Sequence, residues 1–338
     1  MKKLMKWAAV LGGSFLAAAL GMVIYLGMNR VVVIADTGTV AEVTGTSDPE
    51  GLPGHTLSLL ESAEEGLSIR IPMEGAIGPE NIIMENRYVN RRLIIYIRGA
   101  TGFFYEKNRI TGYTKSVEAA SYTVESEGVT LYLQLSELYE YESILEKGYL
   151  QVNFYKPAER YKKVVVLDVE FPDDLNSQER EALYQTEEKL RTLLEAEEIR
   201  VYSAANRNGE AELAEKRMLV EETKASLYVG LMLEKDEDPE KFGSYVCYSS
   251  RYFRPWLTNG SFADRMEREL VTAIQGRAAG LVEVDEGILQ ELSIPAVIVC
   301  PGYLSHETEG RLLLKQDYQD KIAEGICSGI LATFEELE

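Results

Sequence analysis

Residues 294–305 read Ile-Pro-Ala-Val-Ile-Val-Cys-Pro-Gly-Tyr-Leu-Ser, and this stretch decides the fold class. Its apolar part, residues 295–300, contains no alternating polar positions and is followed by Pro301. A short, continuously apolar run of this kind is typical of a strand that is buried on both faces of a parallel sheet. Residues 164–167, Val-Val-Val-Leu, have the same character and predict a second buried strand.

Helices are predicted to alternate with these strands through the C-terminal half of the chain. A long helix is expected at about 177–197, where Leu183, Leu190 and Leu194 recur on one face. The other predicted elements are strands at 199–202, 226–233 and 243–249, and helices at 211–224, 262–275 and 317–334. Strands that alternate with helices indicate a three-layer α/β domain with a mainly parallel, twisted sheet, here over residues 160–338.

The preceding region, residues 56–157, has a different pattern. Residues 67–71 and 129–135 alternate apolar and polar side chains, which is the period of a half-buried strand. Gly66, Gly99, Gly128 and Gly148 separate the runs. The pattern predicts a small antiparallel β-sandwich domain, joined to the N-terminal segment by a tether at residues 31–55.

The N-terminal segment, residues 1–30, is predicted to be a basic tail followed by a transmembrane anchor. Residues 7–28 contain no charged side chain, and a helix of this length rises about 33 Å, enough for a hydrocarbon core of ~30 Å. Lysines precede the run, so the N-terminus is expected in the cytoplasm and the body outside the cell membrane, as a single-pass protein. A cleaved signal peptide is the alternative, although its apolar core is usually shorter.

The charge of the chain excludes one class of partner. The formal net charge is −20, and because residues 1–30 carry four basic and no acidic side chains, the other 308 residues carry −24. A body this acidic repels phosphate backbones, so no nucleic acid is expected. The three cysteines are too few for a disulfide framework.

Several stretches of the C-terminal half resemble the zinc-dependent N-acetylmuramoyl-L-alanine amidases, which cut the bond between muramic acid and the stem peptide of peptidoglycan. Residues 164–168 resemble the family's first strand, which ends in Asp-Pro-Gly-His-Gly-Gly, and residues 226–231 resemble the strand that ends in Ser-Ile-His. Residues 243–249 are similar to a glycine-rich strand before a helix, and residues 321–326 to the closing helix. The most specific likeness is that of residues 294–305 to Pro-Ala-Val-Leu-Val-Glu-x-Gly-Phe-Leu-Ser-Asn. The β-rich region resembles in architecture the AMIN-type domains that hold such amidases on the wall.

The resemblance implies a zinc site whose residues are substituted here. The family's two histidine ligands fall at Phe171 and Met232, its glutamate ligand falls at Glu179, and its catalytic glutamate falls at Cys300. Only Glu179 retains the family residue. Phenylalanine has no donor atom, a thioether is a poor zinc ligand, and the chain's two histidines, His55 and His306, lie elsewhere in the sequence.

The sequence therefore predicts a catalytically inactive homologue that holds no metal or other cofactor. Such a protein would bind peptidoglycan or a membrane or cell-wall protein as a scaffold or regulator. An active amidase with zinc in a rebuilt site that uses Glu179, Asp168 or Cys300 remains the alternative. Cys300 is not expected to be a nucleophile, because no histidine is placed to activate it.

Acidic residues also gather where the first buried strand ends. Asp168, Glu170, Asp173, Asp174 and Glu179 lie at the strand end where ligands bind in open α/β sheets. They could line a groove or bind a hard cation such as calcium. A solvated acidic loop in a very acidic protein is the simpler and preferred explanation.

Overall fold

The computed structural model of the chain describes residues 31–32, 51–62, 66–75, 77–172, 174–205 and 211–337. The chain divides into an N-terminal unit, Met1–Arg87 with Arg91–Tyr155, and a C-terminal unit, Tyr88–Asn90 with Lys156–Glu338. The predicted anchor at residues 7–28 and Asp173 lie outside the described residues. Within the described ranges, no helix combines the length and the apolar character needed to cross a bilayer.

Two sheets make up the N-terminal unit. Its elements are β1 (Val31–Val32), β2 (His55–Thr56), β3 (Leu59–Glu61), β4 (Ser68–Pro72), β5 (Ile82–Arg87), β6 (Arg92–Arg98), α1 (Gly102–Lys107), β7 (Ile110–Gly112), β8 (Val117–Val124), β9 (Gly128–Leu135), β10 (Glu140–Glu146) and β11 (Tyr149–Tyr155). The strand orders are β1-β10-β11-β4-β7-β3 and β2-β8-β9-β6-β5. Among these described strands the pairing is antiparallel, with the exception of β3 and β7, which are parallel.

A single hydrophobic core joins the two sheets of the N-terminal unit. Ile69 and Ile71 of β4 share it with Leu93, Ile95 and Ile97 of β6, and all five side chains are fully buried. Within each strand these residues are two apart and therefore point to the same face. The alternating pattern that the sequence shows is thus the pattern of this core.

The C-terminal unit alternates strands and helices. Its elements are β12 (Val164–Glu170), α2 (Ser177–Ala196), β13 (Arg200–Ser203), α3 (Leu213–Thr223), β14 (Leu227–Met232), β15 (Ser244–Tyr248), α4 (Asn259–Ile274), β16 (Ala278–Glu283), α5 (Ile288–Glu291), β17 (Ala296–Cys300), α6 (Glu307–Leu313) and α7 (Gln316–Leu337). The sheet order is β13-β12-β14-β17-β15-β16. The first four strands are mutually parallel, whereas β15 is antiparallel to β17 and parallel to β16.

The two faces of this sheet are covered by different helices. Val165, Leu167 and Val169 of β12 belong to a core that also contains buried residues of α2, α4 and α7. Asp168 lies between them in the strand and therefore points to the opposite face, where it contacts Lys216 of α3. The unit is a three-layer α/β domain with a mixed sheet.

Close packing of α7 against α4 depends on glycine. A Cβ atom on Gly325 would lie 2.8 Å from the Cα of Leu270, and one on Gly329 would lie 2.8 Å from the Sδ of Met266. The two glycines are one turn apart, so they let the helices approach along a shared line. An alanine at position 325 would force the backbones apart.

Most of the predicted elements of this unit are confirmed, with ends that differ by one to three residues. The three-layer α/β fold class with a mainly parallel sheet is also confirmed, and the one antiparallel pair among the described strands of this sheet is β15 with β17. The prediction missed β16, α5 and α6. In β16 all residues but one are exposed, so the strand has no burial pattern that a sequence could display.

Candidate functional site

The substituted positions lie at the carboxyl edge of the C-terminal sheet. The parallel strands β12, β14 and β17 end at Glu170, Met232 and Cys300, and Phe171 follows β12 directly. Glu179 lies in the first turn of α2, which begins shortly after β12. This is the edge at which ligands bind in open α/β sheets.

Glu179 forms part of a capping box at the start of α2. The Oδ1 atom of Asn176 accepts hydrogen bonds from the backbone N–H groups of Gln178 and Glu179, at 2.9 and 3.1 Å. In return, the Oε2 atom of Glu179 accepts the backbone N–H of Asn176 at 2.8 Å. Such reciprocal caps fix the first turn of a helix and orient the glutamate side chain.

A lysine ammonium group binds the same carboxylate. The Nζ atom of Lys235 lies 2.9 Å from Oε2 of Glu179 and donates a second hydrogen bond, of 2.8 Å, to the backbone carbonyl of Asp174. The Glu179 side chain is only 11% exposed and that of Lys235 is 29% exposed. The one retained family ligand therefore already has a cation from its own chain.

Phe171 and Met232 supply no polar contact at this edge. The ring of Phe171 packs against the main core, and its centroid lies 5.1 Å from that of the Tyr184 ring. The guanidinium of Arg180 lies over the Phe171 ring, 4.9 Å from its centroid. Met232 is partly buried at the end of β14. Neither side chain has a donor that could replace the imidazole that the resemblance predicts at its position.

Cys300 is enclosed by two tyrosines and a glutamate. It is fully buried, and its Sγ atom lies 3.4 Å from the carbonyl oxygen of Gly302. The hydroxyl of Tyr245 donates to a carboxylate oxygen of Glu234, and the ring of Tyr245 stacks on that of Tyr303 at 5.7 Å. Burial raises the pKa of the Cys300 thiol to about 12, so the thiol stays protonated. A protonated, fully buried thiol is inert as a nucleophile.

Hydrogen bonds join two loops that lie next to Cys300. The backbone N–H of Leu304 donates to the carbonyl of Glu234 at 2.7 Å. The carboxylate of Glu309 accepts the backbone N–H groups of Gly243 at 2.8 Å and of Tyr303 at 3.0 Å. Gly243 has a φ of 108°, a conformation that only glycine adopts readily. These bonds join the loops that follow β14 and β17 and cover the thiol.

This donor set does not fit zinc. A catalytic zinc site needs three deprotonated nitrogen, sulfur or oxygen ligands and one open position. Here the predicted family positions hold an aromatic ring, a thioether, a fully buried thiol and a carboxylate that is already paired with Lys235. Across the described residues, no three histidine, cysteine, aspartate or glutamate side chains converge in a way that could hold a metal ion.

A buried ionic cluster lies beneath the same edge, on the face that α3 covers. The Nζ atom of Lys216 lies 2.6 Å from Oδ2 of Asp168 and 2.9 Å from Oε1 of Glu170. The hydroxyl of Tyr228 donates to Oδ2 of Asp168 at 2.6 Å, and the backbone N–H of Val169 donates to Oδ1 at 2.8 Å. Asp168 is 1% exposed, so its charge is satisfied entirely within the protein.

Burial dominates the protonation of this cluster. Loss of hydration raises the pKa of Asp168 to about 7, while Lys216 opposes a further rise and Glu170 adds to it. For Lys216, burial lowers the pKa, but the attraction of Asp168 and Glu170 outweighs it, so the pKa is raised. The pKa of Tyr228 is raised well above its usual value, first by burial and then by the neighbouring carboxylates. Tyr228 therefore acts only as a hydrogen-bond donor.

The predicted acidic group is thus divided between two lysines. Asp168 and Glu170 bind Lys216, whereas Glu179 and the backbone of Asp174 bind Lys235. Neither lysine is among the residues that the sequence pattern predicts for the site. Lys216 had a visible signal, because it lies on the buried face of α3 with Leu219, Val220 and Thr223. Lys235 had none, because its loop meets α2 only in the folded chain.

The described contacts of the two histidines are with residues other than those at the substituted positions. His55 lies in β2 of the N-terminal unit, where its ring lies 5.3 Å from that of Tyr122. His306 caps α6, with Nδ1 accepting the backbone N–H of Glu309 at 3.3 Å. Its ring stacks on Phe242 at 5.2 Å. Both residues have structural roles in the described contacts.

The C-terminal half of the chain is similar to known proteins. The family model described as N-acetylmuramoyl-L-alanine amidase matches residues 173–332, a range that begins two residues after Phe171 and contains the other three substituted or retained positions. The germination-specific N-acetylmuramoyl-L-alanine amidase of Bacillus subtilis is 28% identical over 177 residues, which are 52% of this chain and 71% of that protein.

Solved amidase structures are similar to the C-terminal half of the chain. An N-acetylmuramoyl-L-alanine amidase from Clostridium difficile 630 has a TM-score of 0.47 at 21% identity, over 51% of this chain and 97% of its own. The catalytic domain of the amidase CwlV from Bacillus (Paenibacillus) polymyxa has a TM-score of 0.46 at 22% identity, over 51% and 98%. From the family match and the motifs together, the C-terminal unit is a domain of the N-acetylmuramoyl-L-alanine amidase family.

Proposed function

We propose that the chain is a membrane-anchored, extracytoplasmic member of the amidase family that does not hydrolyse peptidoglycan. In this proposal it binds peptidoglycan or a cell-wall protein and acts as a scaffold or regulator of wall machinery. The anchor is the apolar run at residues 7–28, and the N-terminal unit serves, as an AMIN-like domain would, to hold the protein on the wall.

The pairing of Glu179 with Lys235 is the observation that carries this proposal. An ammonium group at 2.9 Å from Oε2 neutralises the carboxylate without offering a coordination site for water. A hydrolytic zinc site needs such a position, because the attacking nucleophile is the metal-bound water. The capping bond from Asn176 uses the same oxygen, so the helix start and the ion pair stabilise each other.

The second support is the enclosure of Cys300. A general base for hydrolysis has to reach the attacking water and accept its proton near neutral pH. The family's position for that base holds a buried thiol with a pKa of about 12, beneath two loops that are fastened to each other. No proton acceptor is therefore presented at that position.

Incubation of the purified full chain with sacculi tests the proposal. We expect the chain to sediment with the sacculi and to release no stem peptides, measured as new amino-terminal L-alanine. Release of stem peptides that Glu179→Ala abolishes would establish the active-amidase alternative. A chain that stays wholly in the supernatant would remove the peptidoglycan part of the proposal, and cross-linking to a specific membrane protein would then identify a protein partner.

A further inference from the structure

A pocket lies at the opposite edge of the C-terminal sheet from the substituted zinc positions. Lys162 and Lys163 precede β12, Ser226 precedes β14 and Pro295 precedes β17, and all four line it. It therefore opens at the amino ends of the parallel strands. Its volume is about 460 Å³, which is large enough for a small charged group and its apolar neighbours.

The lining of this pocket is basic in a strongly acidic protein. Lys162, Lys163 and Arg254 contribute three cations, and no aspartate or glutamate lines it. The whole chain carries a net charge of −20. The hydroxyl-bearing Ser226 and Ser293 also line the pocket and could donate hydrogen bonds to an anion. Local charge therefore favours an anionic group here, although the protein as a whole repels anions.

An aromatic loop forms part of the rim. Arg254 and Leu257 exchange backbone hydrogen bonds of 2.9 and 3.2 Å, which close a tight turn, and Leu257 is buried at 1% exposure. The turn leaves Phe253 and Trp256 exposed at 71% and 64%. Among the described large hydrophobic side chains, Phe253 is the most exposed, and Trp256 is equalled only by Phe103 at 64%. Tyr252 and Arg254 of the same loop line the pocket, so the exposed rings lie within two residues of a lining cation.

We propose that this basic-aromatic face, defined as Lys162, Lys163, Phe253, Arg254 and Trp256, docks on a membrane that contains anionic phospholipid. Aromatic rings that flank lysine and arginine are typical of membrane-water interfaces, where the rings enter the headgroup region and the cations meet phosphates. The pocket would receive a headgroup phosphate. The proposal rests on the proposed membrane anchoring in one respect, which is that the anchor keeps a bilayer within reach of this face.

The positive charge of this face favours binding to an anionic membrane. Each lysine or arginine near an anionic bilayer contributes attraction equivalent to about a five-fold change in binding. The rest of the acidic body is repelled by the same surface. Docking would therefore orient the C-terminal unit with the amino edge of its sheet on the bilayer and the substituted edge facing away from it.

The two tryptophans of the chain allow the docking and the anchor to be tested separately. The chain contains only Trp7, in the predicted anchor, and Trp256, on the proposed face. The full chain carrying Trp7→Phe is reconstituted into nanodiscs of brominated phosphatidylcholine, with and without phosphatidylglycerol. We expect brominated lipid to quench Trp256 emission in the discs that contain phosphatidylglycerol, and less so in pure phosphatidylcholine or at high salt. In a Trp256→Phe chain, quenching of Trp7 reports the anchor alone.

Variants that each remove one positive charge from the face, compared with a control variant outside it, measure the contribution of charge to docking. Lys162→Gln and Arg254→Gln, both at exposed positions, should each weaken docking about five-fold, whereas Lys321→Gln, at an exposed lysine of α7 that does not line the pocket, should leave it unchanged. Trp256 emission that brominated lipid leaves unchanged would overturn the proposal, as would equal losses for all three variants. Protection of Trp256 from acrylamide by sacculi, without quenching by lipid, would assign the face to the wall.

Discussion

Replacing Lys216 with methionine should destabilise the C-terminal unit by an amount that depends on pH. Methionine keeps the apolar stem of the side chain and removes the ammonium group that lies 2.6 Å from Asp168 and 2.9 Å from Glu170. Glu170 is 29% exposed and can turn to water, but Asp168 is 1% exposed and cannot. The variant therefore leaves one buried carboxylate without its counter-ion.

The magnitude follows from the burial of that carboxylate. Removing one partner of a buried ion pair costs about 3–5 kcal/mol, and we expect this loss in the free energy of unfolding at pH 8. Burial has raised the folded-state pKa of Asp168 to about 7, above its usual value of about 3.9. The stability linked to this proton is therefore complete below about pH 4 and is lost as the pH rises through 7. Without Lys216 the pKa rises further, so at pH 5 the variant carries a neutral Asp168 and loses only about 1–2 kcal/mol.

Urea denaturation of the wild type and the variant at pH 5 and pH 8 measures both losses. Lys189→Met is the matched control, because Lys189 pairs with Asp320 at side-chain exposures of 29% and 53%. An exposed pair of that kind should contribute less than about 1 kcal/mol at either pH. A Lys216→Met loss that is below 1 kcal/mol at pH 8, or equal at the two pH values, would refute the assignment of Asp168 as a carboxylate held by Lys216.

Three further outcomes are expected. The combined substitution Phe171→His, Met232→His and Lys235→Ala restores the family's ligand types beside Glu179, so the variant should bind about one zinc per chain by elemental analysis; no gain of zinc would contradict the positions assigned here. All three cysteines are buried, and burial raises their pKa values to about 11 or 12, so the native chain at pH 8 should react with Ellman's reagent at none of them and at all three after denaturation. Tyr228→Phe removes a 2.6 Å donor to Asp168 and should cost about 1–3 kcal/mol in urea denaturation, a loss that an unpaired tyrosine would not show.

Much of the C-terminal fold is predictable from the sequence because buried apolar residues recur at the regular spacing of strands and helices. Residues 164–167 of β12 and the whole of β17 are apolar on both faces, and α2 repeats leucine on its inner face behind an Asn176–Glu179 capping box. The antiparallel direction of β15 relative to β17 has no such periodic signal in the sequence. Nothing in residues 244–248 distinguishes a parallel neighbour of β17 from the antiparallel one that the structure has.

The candidate site, like the fold, is only partly predictable from the sequence. Resemblance to the family placed Phe171, Glu179, Met232 and Cys300, because motif positions are local in sequence. The partners that determine their chemistry come from distant segments: Lys235 lies 56 residues from Glu179, and Tyr228 lies 60 residues from Asp168. Lys216 differs from these partners because its own position gives a signal. A charged residue on the buried face of a helix predicts a buried counter-charge.

The zinc content of the purified full chain tests the central claim most directly. After dialysis against trace zinc, elemental analysis should find no stoichiometric metal, because Lys235 already binds the carboxylate of Glu179 and the other family positions lack suitable donors. About one zinc per chain, lost in a Glu179→Ala variant, would contradict this account and establish a rebuilt metal site.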